Sequence, residues 1–185
     1  MRAGSSAPLI RHADDWRAIT SLNAYRSLVA FGLVALLLFG AAEQLFSVAM
    51  PDLFRIASLL YLVQCAVALF AALSRRPSLR IQVITACALD VLLFSTLAFA
   101  TTGVSGGLGM LLITPVAAAG MLLPARLAAL LAACAALGIL AQEVWRSLHF
   151  IDARAEFVQA GILGTVFFIT AGVAHWLARR VRVSE

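Results

Sequence analysis

Asp90 is the residue whose placement most demands an explanation, because it is the one charged side chain in the apolar stretch 81–100. It lies roughly 14 Å from either end of that stretch at the helical rise of 1.5 Å per residue. At such a depth in a bilayer an ionised carboxylate costs at least about 2.5–3.5 kcal/mol, so it is expected inside a bundle, against a polar partner. Two readings stand side by side. Asp90 is a polar switch or contact point, or it makes a static hydrogen bond between helices, typically worth under about 2 kcal/mol. Gln64, midway along the preceding apolar stretch, is a candidate partner that the sequence does not by itself pair with Asp90. The plainer reading of Gln64 is an amide bonded to a backbone carbonyl.

Other residues point to geometry more than to chemistry. Pro115, after Thr114, interrupts the fourth apolar run and predicts a bend or a hinge, since proline removes a helical hydrogen bond. Gly103, Gly106, Gly107 and Gly109 match neither a phosphate loop nor a dinucleotide fingerprint, and are read as close backbone packing or a flexible lip. Ala128, Ala132 and Ala136 recur at intervals of four and give a smooth face for helix contact, within the chain or in a homodimer. His175 and Trp176 are read as ordinary residues of a membrane boundary. Cys65, Cys87 and Cys134 each fall in an apolar run without the close spacing of a metal or redox motif. No catalytic triad, paired carboxylates or metal-ligand motif is visible, so neither an autonomous enzyme nor a cofactor or metal is expected.

The elements that hold these residues follow from composition. Of the 185 residues 63% are hydrophobic and only 12% charged, with a mean hydropathy of +0.98. A soluble domain is nearer half apolar and a quarter charged, so the expected solvent is lipid. Six runs approach the length of roughly 20 apolar residues that a span needs: 22–45, 53–73, 81–100, 108–123, 125–145 and 157–177. Backbone groups in lipid must bond within their own segment, so all six are expected to be helices. The fold class is therefore all-α, a polytopic transmembrane bundle of six spans. Residues 1–21 form a polar segment with an interfacial helix, 22–177 the transmembrane domain, and 178–185 the start of a helix leaving the membrane.

All fourteen basic residues are arginine, and they flank the apolar runs. That distribution argues for membrane topology and against nucleic acid as a partner. With six crossings one side receives Arg2, Arg11, Arg17, Arg26, Arg75, Arg76, Arg80, Arg126, Arg179, Arg180 and Arg182. The other receives Arg55, Arg146 and Arg154. Basic loops stay in the cytoplasm, so both termini are expected there, in a bacterial inner membrane.

In this order the features resemble the N-terminal membrane region of PilS-type sensor histidine kinases, which control type IV pilus genes. The resemblance rests on Leu22-Asn23-Ala24-Tyr25-Arg26 and on Thr102-Gly103-Val104-Ser105-Gly106-Gly107-Leu108-Gly109-Met110-Leu111-Leu112 after a span that bears Asp90. It rests also on Val116-Ala117-Ala118-Ala119-Gly120, on the turn Leu123-Pro124-Ala125-Arg126-Leu127, and on Leu177–Glu185. It implies an input module that senses within the membrane, with a pilin or another transmembrane helix as ligand. It further implies signalling through the last helix to a PAS domain, a kinase core and a response regulator. None of those soluble parts is visible in these residues, so the chain reads as a piece of a longer kinase, a split product or a standalone relative. Two other classes remain open on the residues alone: a small transporter or channel with Asp90 in its path, and a membrane scaffold.

Overall fold

The computed structural model describes residues 7–74, 79–101, 107–149 and 156–184, with side chains in 19–74, 80–101, 107–149 and 156–180. Every regular element among them is helical. The order is α1 (Ala7–Leu38), α2 (Ala42–Phe46), α3 (Pro51–Ser74), α4 (Leu79–Ala100), a 3₁₀ turn (Leu108–Leu112), α5 (Ile113–Leu122), α6 (Ala125–His149) and α7 (Phe157–Ser184). Five of these helices are long and apolar enough to cross a membrane, and the apolar helical segment Leu108–Leu122 is shorter. Its fifteen residues rise only about 25 Å, from a 3₁₀ rise near 2.0 Å and an α rise of 1.5 Å per residue. That is somewhat less than a hydrocarbon core of about 30 Å.

Helix ends are set by local chemistry. α1 stops at Leu38, short of the expected end at residue 45, because Gly40 takes a left-handed backbone at φ +67°. The Gly40 N–H then donates to Leu37 O and the Ala41 N–H to Leu36 O, at 3.2 and 3.0 Å. This is the paired closure by which a glycine ends a helix. At its other end α1 runs without a break across residue 21, where an interfacial helix and a span were expected to meet. Pro51 opens α3, a position where the missing N–H of proline has no helical partner to lose. Between α5 and α6, Leu123 is extended (φ −109°, ψ 160°), as a residue before proline must be. The Pro124 carbonyl then accepts from the Leu127 and Ala128 N–H groups. The tight turn expected there is present.

Pro115 is the third residue of α5 and lies midway along the helical segment Leu108–Leu122. The change of structure falls just before it, where the 3₁₀ turn becomes α-helix at Ile113.

α4 is the axis of the bundle: half of its most apolar window is buried, against 22% for α1 and 33% for α7. It packs on α3, α5 and α6; α1 packs on α3, and α7 on α5 and α6. With no hydrophobic drive between helices in lipid, close approach through small residues does the work. A Cβ on Gly120 of α5 would lie 2.7 Å from Ala171 O and 2.8 Å from Ala174 Cβ of α7. One on Gly164 of α7 would meet Ala136 Cβ of α6 at 3.2 Å. Ala128, Ala132 and Ala136 are all buried within the chain.

Candidate functional site

Three helices deliver polar groups to the middle of the bundle. On α1, Asn23 and Arg26 are one helical turn apart on one face. Arg26 Nη1 donates to Asn23 Oδ1 at 3.1 Å, and Asn23 Nδ2 donates to the Ala68 carbonyl of α3 at 3.4 Å. Arg26 Nη2 donates to Asp90 Oδ1 of α4 at 2.6 Å. Gln64 of α3 donates to the same carboxylate oxygen at 3.3 Å and to the Ala86 carbonyl at 3.4 Å. The neighbouring Tyr25 hydroxyl lies 3.3 Å from Thr114 Oγ1 on α5.

The structure brings the two candidates Asp90 and Gln64 together, with Gln64 bonded to a backbone carbonyl as well. Arg26 was expected among the topology charges at the membrane face. It lies instead inside the bundle, 1% exposed, opposite Asp90 at 3%. The reason is physical: a carboxylate held in a low-dielectric interior requires a counter-charge and hydrogen-bond donors, and a guanidinium supplies both. The pair is the salt bridge found among the described residues.

The network retains unused capacity. A guanidinium carries five N–H donors in a fixed fork, and Arg26 Nε has no partner among the described residues. Nor has Gln64 Oε1. Beside them, α1, α3 and α4 enclose a cavity of about 200 Å³ lined in part by Asn23, Gln64, Gln82 and Thr85. Tyr61 and Cys65 of α3 lie within the field of both charges. The buried ion pair thus has an unpaired donor, an unpaired acceptor and open space beside it. At low dielectric each buried polar group left unpaired is costly.

The remaining candidates do not join this cluster. Gly107 opens the 3₁₀ turn with φ +75°. Gly109 is buried, where an added Cβ would meet Leu163 at 3.1 Å and Ile139 at 3.4 Å. Gly103, Gly106, Arg75 and Arg76 lie outside the described residues, as does the side chain of Arg182. Arg80, Arg126, Arg179 and Arg180 are exposed at helix ends, and Arg180 rests over the Trp176 ring at 5.2 Å. Among the described residues no group of His, Cys, Asp and Glu could hold a metal ion.

Comparison with known proteins gives two findings. The family described as the PilS-like transmembrane domain, a six-span unit, matches residues 10–185. The sensor protein kinase PilS of Pseudomonas aeruginosa is 36% identical over 170 residues, covering 91% of this chain and 32% of that protein. The chain therefore spans about a third of the length of the curated relative it matches. No solved structure matches.

Proposed function

This chain belongs to the PilS-like transmembrane domain family, and from that premise we propose that it is the membrane input module of a two-component sensor histidine kinase in a bacterial inner membrane. The observation that carries the reading is the buried Arg26–Asp90 pair, joined by Gln64 and Asn23 across α1, α3 and α4. A passive anchor has no use for such a pair: replacing buried ions by apolar groups of similar volume is often neutral or stabilising. A switch does have a use for it, because a small displacement of one helix exchanges its partners.

The proposed sequence of events is mechanical. A transmembrane helix in the same bilayer, a pilin among the candidates, binds the bundle from the side. It shifts the equilibrium only by its differential affinity for the two arrangements of the network. α4 packs on α5 and α6, and these pack on α7, so repacking around Asp90 displaces α7. α7 then passes the change to a cytoplasmic PAS and kinase part, which acts on a response regulator; a homodimer would bring two such helices together. Arginine bias orients the module with both tails in the cytoplasm.

The test grafts residues 1–185 onto the cytoplasmic part of the Pseudomonas aeruginosa relative and reads a pilus-gene reporter. Asp90→Ala is expected to change basal output by about fivefold or more, the lower end of ordinary coupling energies. An unchanged reporter response to pilin level, at normal membrane abundance, would remove Asp90 from the mechanism.

A further inference from the structure

A second cavity, of about 380 Å³, opens where α4 begins, α5 turns into α6, and α7 reaches the end of its span. Its lining is divided. Val83, Met121 and Leu122 give it an apolar side, and Arg80, His175 and Arg179 a basic one. His175 Nδ1 lies 3.3 Å from the Gly120 carbonyl, which can only accept. Nδ1 therefore carries the hydrogen, and Nε2 is left for another partner.

Among the described residues no carboxylate neutralises these charges: neither Arg80 nor Arg179 pairs with one. Neither α4 nor α6 has an acidic residue in its first turn, and both helices start at this end of the bundle, so their positive dipole ends add to the field. This arrangement suits an anion on the basic side and a hydrocarbon chain on the apolar side. Basic pockets between transmembrane helices at a membrane face take phospholipid headgroups for these reasons.

We propose that this cavity binds the phosphate of an anionic phospholipid, with Arg80 and Arg179 on the headgroup and an acyl chain along Val83, Met121 and Leu122. The bound lipid would hold the end of α7 against the start of α4. The site is independent of the Arg26–Asp90 network and of any signalling role.

The test uses the full chain, reconstituted in phosphatidylcholine with and without phosphatidylglycerol, then released for native mass spectrometry. The wild type is expected to retain phosphatidylglycerol in preference to phosphatidylcholine. Arg80→Gln with Arg179→Gln should lower that retention roughly tenfold or more, at about 1 kcal/mol per arginine near an anionic surface. Arg80→Lys with Arg179→Lys should keep most of it, which separates loss of charge from loss of fold. Arg55→Gln, on an exposed residue at the start of α3 and away from the cavity, should change nothing. Equal retention by wild type and the double glutamine variant would overturn the proposal. So would displacement of the lipid by millimolar inorganic phosphate, which would assign the site to a soluble phosphate compound.

Discussion

Arg26 and Asp90 are each tolerable in the bundle only because of the other. Removing one partner of a buried pair leaves an uncompensated charge and costs about 3–5 kcal/mol, whereas replacing both by apolar groups is often neutral or stabilising. Arg26→Met and Asp90→Leu are therefore each expected to lower the thermal midpoint of the detergent-purified protein sharply. The double variant should return close to wild type. Simple addition of the two losses would show that the residues do not act as a pair. Asp90 was legible in the sequence because its depth in an apolar run is itself abnormal, and Gln64 because its depth matches. Arg26 was not, since it stands near the start of a run, where arginine ordinarily reaches back to the headgroups. The signal available was Asn23-x-x-Arg26, two polar groups on one helical face. Its weight became clear only once Ile19–Leu38 proved to be the span.

Helices meet here through small residues, and the contacts differ enough to be told apart. Gly120 faces the backbone of α7, so Gly120→Ala forces α5 and α7 apart and is expected to destabilise by about 1–3 kcal/mol, the usual range for overpacking. Gly172 has nothing within 4 Å of the added atom, so Gly172→Ala should be neutral or stabilising by up to about 1 kcal/mol, because alanine favours helix. Thermal unfolding of both variants in one detergent checks the pair; equal effects would contradict the α5–α7 contact. The alanine spacing on α6 was readable as a packing face because periodicity is local. The end of α1 is less legible: Phe39, Ala41, Ala42 and Leu45 extend the apolar run past Glu43 and Gln44, and the left-handed backbone of Gly40 decides the break. The 3₁₀ turn that precedes Pro115 is likewise invisible to composition.

Across the whole molecule, six crossings return the chain to the side from which it started. Most arginines outside the core flank that side, and withdrawing Arg26 to the interior leaves the sign of the bias unchanged. Both tails are therefore expected in the cytoplasm. Green fluorescent protein should fluoresce when fused at either end, and alkaline phosphatase should be inactive at both. An active phosphatase at one tail would mean an odd number of crossings, with the short segment Leu108–Leu122 failing to cross. The membrane class and the all-helical fold were plain from composition, because a surplus of apolar residues has no other solvent. The bundle's centre on α4 was not, since which helix is surrounded depends on packing between elements distant in the sequence.

The most direct test of the Arg26–Asp90 lock as the input device is charge exchange within the grafted kinase. Arg26→Asp and Asp90→Arg should each shift the basal output of the pilus-gene reporter, and the double exchange, which restores opposite charges across the same gap, should bring output back toward wild type. Single variants that reach the membrane at normal levels and leave output unchanged would contradict it.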